Sequence, residues 1–411
     1  MHAQSHRRNA NHRLLPAFDK QDEIFSSAFC VLQEAITQRA FPAASIAVTV
    51  NGELRGRKAC GTLVYETDSA GAPLLASSAR SGKLDSLSSA TIFDLASLTK
   101  PIATTTMAAI LYERGQLELD APVIGILPEF RSATDPRRDE VTFHMLLSHS
   151  SGLPAYEKLF LKARSRDELL HAALGTPLTA DPGTRAEYSD IGFILLGLTL
   201  ERLSGEPLNV FCQREIFGRL AMSNTTFNPP EGIRPSIPPT ADERVEATTG
   251  KDTPLRSTFR NRIIQGEVQD ENASVLGGVA GHAGLFSNAH DIAIFASTML
   301  QGGTPILRPE TVALFTRRQS APADTSRALG WDTPSPPSQS GKYFGPNSYG
   351  HLGYTGTSLW IDPDRQLSIT LLTNRTCPTA PIKPSSKSVQ DSTTPLSKRW
   401  SASERIFTAN I

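Results

Sequence analysis

Ser97 and Lys100, in the stretch Asp94-Leu-Ala-Ser-Leu-Thr-Lys-Pro101, stand three residues apart, and no other serine in the chain precedes a lysine at that spacing. On a helix, residues i and i+3 share a face, so the lysine amine reaches the serine hydroxyl. Such a pair offers nucleophilic attack on a carbonyl, with the amine taking the proton that otherwise makes serine a poor nucleophile. Spacing alone is weak support, because Ser and Lys are common residues and a helix cap beside a solvated lysine has the same pattern. Two more polar clusters strengthen it. Glu187-Tyr-Ser-Asp190 directly precedes an apolar helical run, and Gly350-His-Leu-Gly-Tyr-Thr-Gly356 directly precedes a hairpin pattern. Three polar loops that each open a regular element suit one shared cleft.

The elements that must position these residues are legible from periodicity and punctuation. Residues 23–39 read as an amphipathic helix. Residues 44–50 and 53–60 read as two strands joined by Asn51-Gly52, a strong type I′ turn signal. Residues 65–92 read as a loop. A helix is expected over 97–114, and Pro101 is tolerated only near its first turn, which places Ser97 at the N-terminus among backbone N–H groups that lack intrahelical partners. Helical patterns recur at 141–148, 166–174, 191–203 and 289–300, a long surface loop at 228–262, and a second hairpin over 358–361 and 366–373. Composition predicts disordered tails over 1–22 and 377–411.

The chain has 411 residues, of which 39% are hydrophobic, enough for one large domain or two coupled ones. Forty-one basic residues balance forty-one acidic ones, so no field concentrates phosphates and no nucleic-acid partner is expected. The four cysteines, Cys30, Cys60, Cys212 and Cys377, lack paired spacing, which predicts free thiols, no metal and no disulfide framework. No apolar run suits a signal peptide or a membrane span. The expectation is a cytoplasmic protein, or a periplasmic or secreted one if the true start lies elsewhere.

Together these stretches resemble the serine β-lactamase and penicillin-binding-protein superfamily, especially its class C-like branch of esterases, D-aminopeptidases and carboxypeptidases, and most of all the penicillin-binding protein 4B-like hydrolases. Ser97-Leu-Thr-Lys100 corresponds to the Ser-x-x-Lys box, Tyr188-Ser-Asp190 to Tyr-x-Asn, and His351-Leu-Gly353 to Lys-Thr-Gly. Leu146-Leu-Ser-His-Ser-Ser-Gly-Leu-Pro154 and Ala280-Gly-His-Ala-Gly-Leu-Phe-Ser287 match further stretches of that branch. The resemblance implies an α+β fold of the β-lactamase/transpeptidase type, an antiparallel sheet flanked by helices with an inserted all-helical domain. In this sequence that corresponds to 23–95 and 266–376 for the sheet domain and 96–265 for the insertion. It implies a serine hydrolase without cofactor, acting through an acyl-enzyme on a small ester, amide or peptide. Ser97 would attack, Lys100 and Tyr188 would carry the proton, and the N–H groups of Ser97 and Tyr354 would form the oxyanion hole. Asp190, His351 and Gly353 would contact substrate. A base at neutral pH then requires Lys100 or Tyr188 to titrate about three units below its ordinary value, a difference of about 4 kcal/mol. Burial is expected to lower the lysine, and a neighbouring cation the tyrosine.

Three departures bear on substrate. His351 and Leu352 replace a charged lysine and a hydroxyl, and Asp190 replaces an amide. These changes predict a preference for neutral esters or amides over penicillins and D-Ala-D-Ala peptides. Asp190 has two other readings, a helix cap or an ion pair that keeps Lys100 charged. His149 and His282 read as structural. A Ser-His-Asp hydrolase is disfavoured because the chain has no Gly-x-Ser-x-Gly, and a silent binder of peptidoglycan or a protein partner is the rival from another class. Prolines after Cys377 interrupt any terminal helix, so one sheet face is expected to be partly bare, with a homodimer as one way to cover it.

Overall fold

The computed structural model describes residues 14–65, 87–243, 259–335 and 338–377. Residues 1–13 and 378–411, the bulk of the two expected tails, lie outside them. Residues 14–22 are not tail: Leu14 is buried, Leu15–Pro16 forms strand β1, and Gln21–Ile24 forms helix α1. The amphipathic segment continues as α2, Ser26–Thr37.

Strands β2 (Ala43–Val50) and β3 (Glu53–Gly61) form the expected hairpin, and Asn51 and Gly52 both take positive φ, 52° and 78°, as a type I′ turn requires. After β4 (Phe93–Asp94) come the helices α3 (Thr106–Glu113), α4 (Phe143–Leu147), α5 (Arg166–Leu174), α6 (Asp190–Ser204) and α7 (Leu208–Cys212). Short strands β5 (Thr226–Phe227), β6 (Ala241–Asp242) and β7 (Ile263–Ile264) follow, so the insertion is not purely helical. The chain closes through α8 (Glu271–Val275), β8 (Leu285–Ser287), α9 (Ala289–Leu300), α10 (Pro309–Thr316) and strands β9 (Tyr349–Gly353), β10 (Thr357–Asp362) and β11 (Leu367–Thr373).

The main sheet has the order β1-β3-β2-β11-β10-β9. It is antiparallel apart from β1, which runs parallel to β3. β2 and β11 pair through Ile46 and Leu371 and through Ala47 and Thr370, which joins the two ends of the described chain. Successive side chains point to opposite faces, so Ala44, Ile46 and Val48 pack with Phe29 and Leu32 of α2, while Ala43 and Ala47 enter the larger core with Phe295 of α9. Trp360, Ile369 and Leu371 on the α2 face are buried. The bare patch that argued for a homodimer is therefore absent among the described residues.

One close approach fixes where the insertion meets the sheet domain. Gly281 lies against α6, and a Cβ there would stand 2.1 Å from the Phe193 carbonyl oxygen and 3.0 Å from the Gly197 Cα. Thr104 donates to the Gly281 carbonyl at 2.7 Å from the other side. Gly281→Ala is expected to force backbone apart and destabilise the protein by about 1–3 kcal/mol, read as a lower midpoint in urea. A midpoint equal to wild type would contradict that packing.

Candidate active site

Ser97 lies on an irregular turn and not on the uninterrupted helix expected over 97–114. Ala96–Leu98 is a 3-10 turn and Lys100–Thr105 a π turn before α3 begins. Pro101 has no N–H to return to the Ser97 carbonyl, which helps keep the first turn from closing as α-helix. Ala96, directly before the serine, has φ 47°, a left-handed conformation uncommon for a residue with a Cβ.

The Lys100 side chain is wholly buried. Its Nζ donates to Ser97 Oγ at 3.0 Å and to the His282 carbonyl at 3.0 Å, and it lies 2.7 Å from Asp190 Oδ1. Tyr188 donates to Ser97 Oγ at 2.7 Å. Two of the three motifs therefore converge on one hydroxyl, and the third, with His351 and Gly353, lines the same cleft. Asp190 forms the ion pair and is not the helix cap: Ser189 caps α6, its Oγ accepting from the Gly192 N–H at 3.0 Å.

That ion pair reverses the expected titration shifts. Burial does oppose the Lys100 charge, but Asp190 and Tyr188 outweigh it and hold the amine above the ordinary lysine range. Tyr188 is pushed up to about 12, by burial first and then by the Asp190 charge, with Lys100 opposing. A carboxylate in place of the family's amide favours the ammonium and disfavours the phenolate.

The two histidine-containing stretches act as frames. His149 accepts the Glu187 N–H on its carbonyl at 2.8 Å and the Ser189 N–H on Nδ1 at 3.0 Å, so it grips the backbone on both sides of Tyr188. Burial holds its ring well below the usual imidazole range, with Arg327, Lys100 and His351 adding to the effect. His282 orients its carbonyl toward Lys100 while Nε2 meets Asp270 Oδ1 at 2.8 Å. Neither belongs to a metal-binding cluster among the described residues.

His351 lies in β9 and not in a loop. Its Nδ1 is 2.7 Å from the Leu352 carbonyl, and burial, then Lys100 and Arg327, press its pKa down to about 3. The ring is therefore neutral at pH 7. Gly353 is required by proximity: a Cβ would stand 2.4 Å from the Leu95 carbonyl oxygen. Thr355 and Thr357 donate to the carbonyls of Asp94 and Leu95, each at 2.8 Å. These bonds bring the turn that carries Tyr354 against the segment that carries Ser97.

The resulting cleft has a volume of about 790 Å³ and is lined by Ser97, Tyr156, Tyr188, Glu271, Arg327 and Tyr354, among others. Sequence reading missed Arg327. Its guanidinium lies over the Tyr188 ring, 5.5 Å from the centroid, with Asp332 at 3.6 Å. No motif surrounds it in the chain. Also missed was Arg375, whose Nε donates to the Tyr354 carbonyl at 2.9 Å.

A β-lactamase family profile matches residues 29–385. The chain belongs to the β-lactamase family. This β-lactamase-family serine hydrolase is 34% identical to an N-acetylmuramyl-L-alanine amidase of Bacillus subtilis over 82% of its own length and 77% of the relative's. It is 34% identical to a candidate D-alanyl-D-alanine carboxypeptidase of Escherichia coli over 71% of its length and 70% of that protein's. Among solved structures it resembles EstCE1, described as a hydrolase with promiscuous acyltransferase activity, with a TM-score of 0.69 and 21% identity over 95% of this chain and 99% of that one. That likeness establishes the fold: a sheet from both ends of the matched region, with helices inserted. No helix among the described residues is long and apolar enough to cross a membrane.

Proposed function

We propose that this hydrolase cleaves small esters or amides through an acyl-enzyme on Ser97. The observation that carries the reading is the Ser97 hydroxyl held by both Lys100, at 3.0 Å, and Tyr188, at 2.7 Å. Lys100 is charged at rest and cannot accept a proton directly. Asp190, 2.7 Å away, supplies the outlet: Lys100 passes one proton to Asp190 as it takes the proton of Ser97. The serine oxygen bonds to the carbonyl carbon, and negative charge moves from Asp190 to the new oxyanion. The N–H groups of Ser97 and Tyr354 receive it. Collapse expels the alcohol or amine, which leaves with the proton from Lys100, and Asp190 returns its own to the lysine. Water repeats the sequence to release the acid. Tyr188, protonated throughout, steadies the Ser97 oxygen by the hydrogen bond it donates to it.

A neutral His351 and a self-compensated Lys100–Asp190 pair favour uncharged substrates. At pH 7.5, p-nitrophenyl butyrate is expected to exceed nitrocefin in kcat/KM by about tenfold or more. The reverse order overturns the preference. Arg327 supports a second reading, since its fork fits a carboxylate, and a relative is described as a candidate D-alanyl-D-alanine carboxypeptidase. A D-Ala-D-Ala peptide cleaved faster than the ester, with that advantage lost in Arg327→Ala, moves the assignment there.

A further inference from the structure

We infer that Asp94 is a positioning residue for acyl transfer, its carboxylate fastening the Ser97 turn to the neighbouring Gln269 segment of the cleft so that the serine and the oxyanion donors hold one geometry. The inference rests on the reading of Ser97 as nucleophile. Asp94 is buried, and each carboxylate oxygen serves a different wall. Oδ1 accepts the Ala96 N–H at 2.9 Å, and Oδ2 accepts the Gln269 N–H at 2.7 Å. Its main-chain carbonyl accepts the Thr355 hydroxyl at 2.8 Å, one residue beyond Tyr354. Three segments that must agree in position thus meet at one residue: the turn before Ser97, the strand-to-turn segment bearing the second oxyanion amide, and the stretch leading to Asp270.

The Ala96 bond has a further consequence. Ala96 holds a φ of 47°, which a side chain disfavours, and a charged acceptor on its N–H is a strong way to maintain it. Gln269 is followed by Asp270, which meets His282 at 2.8 Å, and the His282 carbonyl receives Lys100. Asp94 therefore bears on both members of the Ser97–Lys100 pair without touching a substrate.

No cation lies within ion-pair distance of Asp94 among the described residues. Asp270 and Arg260 face it from the Gln269 side; Arg260 is itself engaged by Glu243 at 2.8 Å. Leu285–Ser287 of β8 brings no titratable group, and the turn after β9 brings the Thr355 hydroxyl. Burial pushes the carboxyl up to about 6, the Ala96 and Gln269 bonds oppose that, Asp270 adds to it and Arg260 opposes it. Both oxygens must accept, so protonation turns a hydroxyl toward a backbone N–H and loosens one wall. Function of this kind is present above pH 6 and lost below it.

The test is the rate at which a fluorophosphonate labels Ser97 between pH 5 and 8, in wild type, Asp94→Asn and Ser97→Ala, with circular dichroism on each sample. Wild type is expected to label about tenfold more slowly at pH 5 than at pH 7. Asp94→Asn is expected to label about 10²-fold more slowly at pH 7.5, the scale of one misplaced oxyanion donor, with the acid limb gone and the folded signal retained. An Asp94→Asn protein that labels within about threefold of wild type, or keeps the acid limb, overturns the inference. If that variant does not fold, the wild-type profile decides, and a flat rate from pH 7 to 5 with intact dichroism overturns it equally. Labelling that persists in Ser97→Ala instead removes the reading of Ser97 beneath it.

Discussion

Ser97→Ala is expected to eliminate covalent labelling and to lower kcat by about 10⁴-fold or more, leaving only what binding and the oxyanion donors supply. The expectation follows from the convergence of Lys100 and Tyr188 on one oxygen: without Oγ, neither has an atom to activate. Stability should change little, by about 1 kcal/mol, because Lys100 keeps Asp190 and the His282 carbonyl. The measurements are ester turnover and the mass shift after fluorophosphonate treatment. A variant that retains about a tenth of wild-type turnover would show that another group performs the attack.

The second large effect separates the roles of Lys100 and Asp190. Lys100→Met removes the proton carrier and leaves a carboxylate facing an apolar neighbour. Activity should fall by about 10³-fold or more, within the range seen when one member of a catalytic unit is removed. Stability should drop by about 3–5 kcal/mol, as when one partner of a buried pair is lost. Adding Asp190→Asn to that variant should recover much of the stability and none of the activity. Asp190→Asn alone has a different signature. With the carboxylate gone, Asp190 no longer raises Lys100, Tyr188 alone opposes burial, and the amine moves down from its wild-type range. The amine must then shed its proton to solvent, so kcat/KM should climb with pH between 6.5 and 9, where wild type, relaying to Asp190, is level. A variant profile parallel to wild type would exclude Asp190 as the proton outlet.

The helices α5 and α9, the β2–β3 hairpin with its positive-φ turn, and the three boxes as separate motifs were legible because each depends on local spacing. Apolar periodicity, a turn dipeptide and a short motif are properties of neighbours along the chain. The interruption of the Ser97 helix by 3-10 and π turns was less so, since Pro101 permits either an α-helical first turn or an irregular one and the packing of Thr104 on Gly281 accompanies the observed choice. The ordered β1 was missed because two residues carry too little pattern, and its partner Glu53 is distant in sequence.

What spacing could not supply was charge. From sequence, Asp190 was open among cap, substrate contact and ion pair, and Lys100 was expected to be lowered by burial. The tertiary structure decides for the ion pair at 2.7 Å, where Asp190 and Tyr188 together outweigh the burial that lowers Lys100. Arg327 reaches Tyr188, and Asp94 reaches Gln269, across 139 and 175 residues. The chain by itself determined which groups could do acyl transfer and in what order they occur. The fold alone decided their protonation and their second neighbours, because pKa and anchoring depend on separations of a few ångströms through space, which no interval along the backbone encodes.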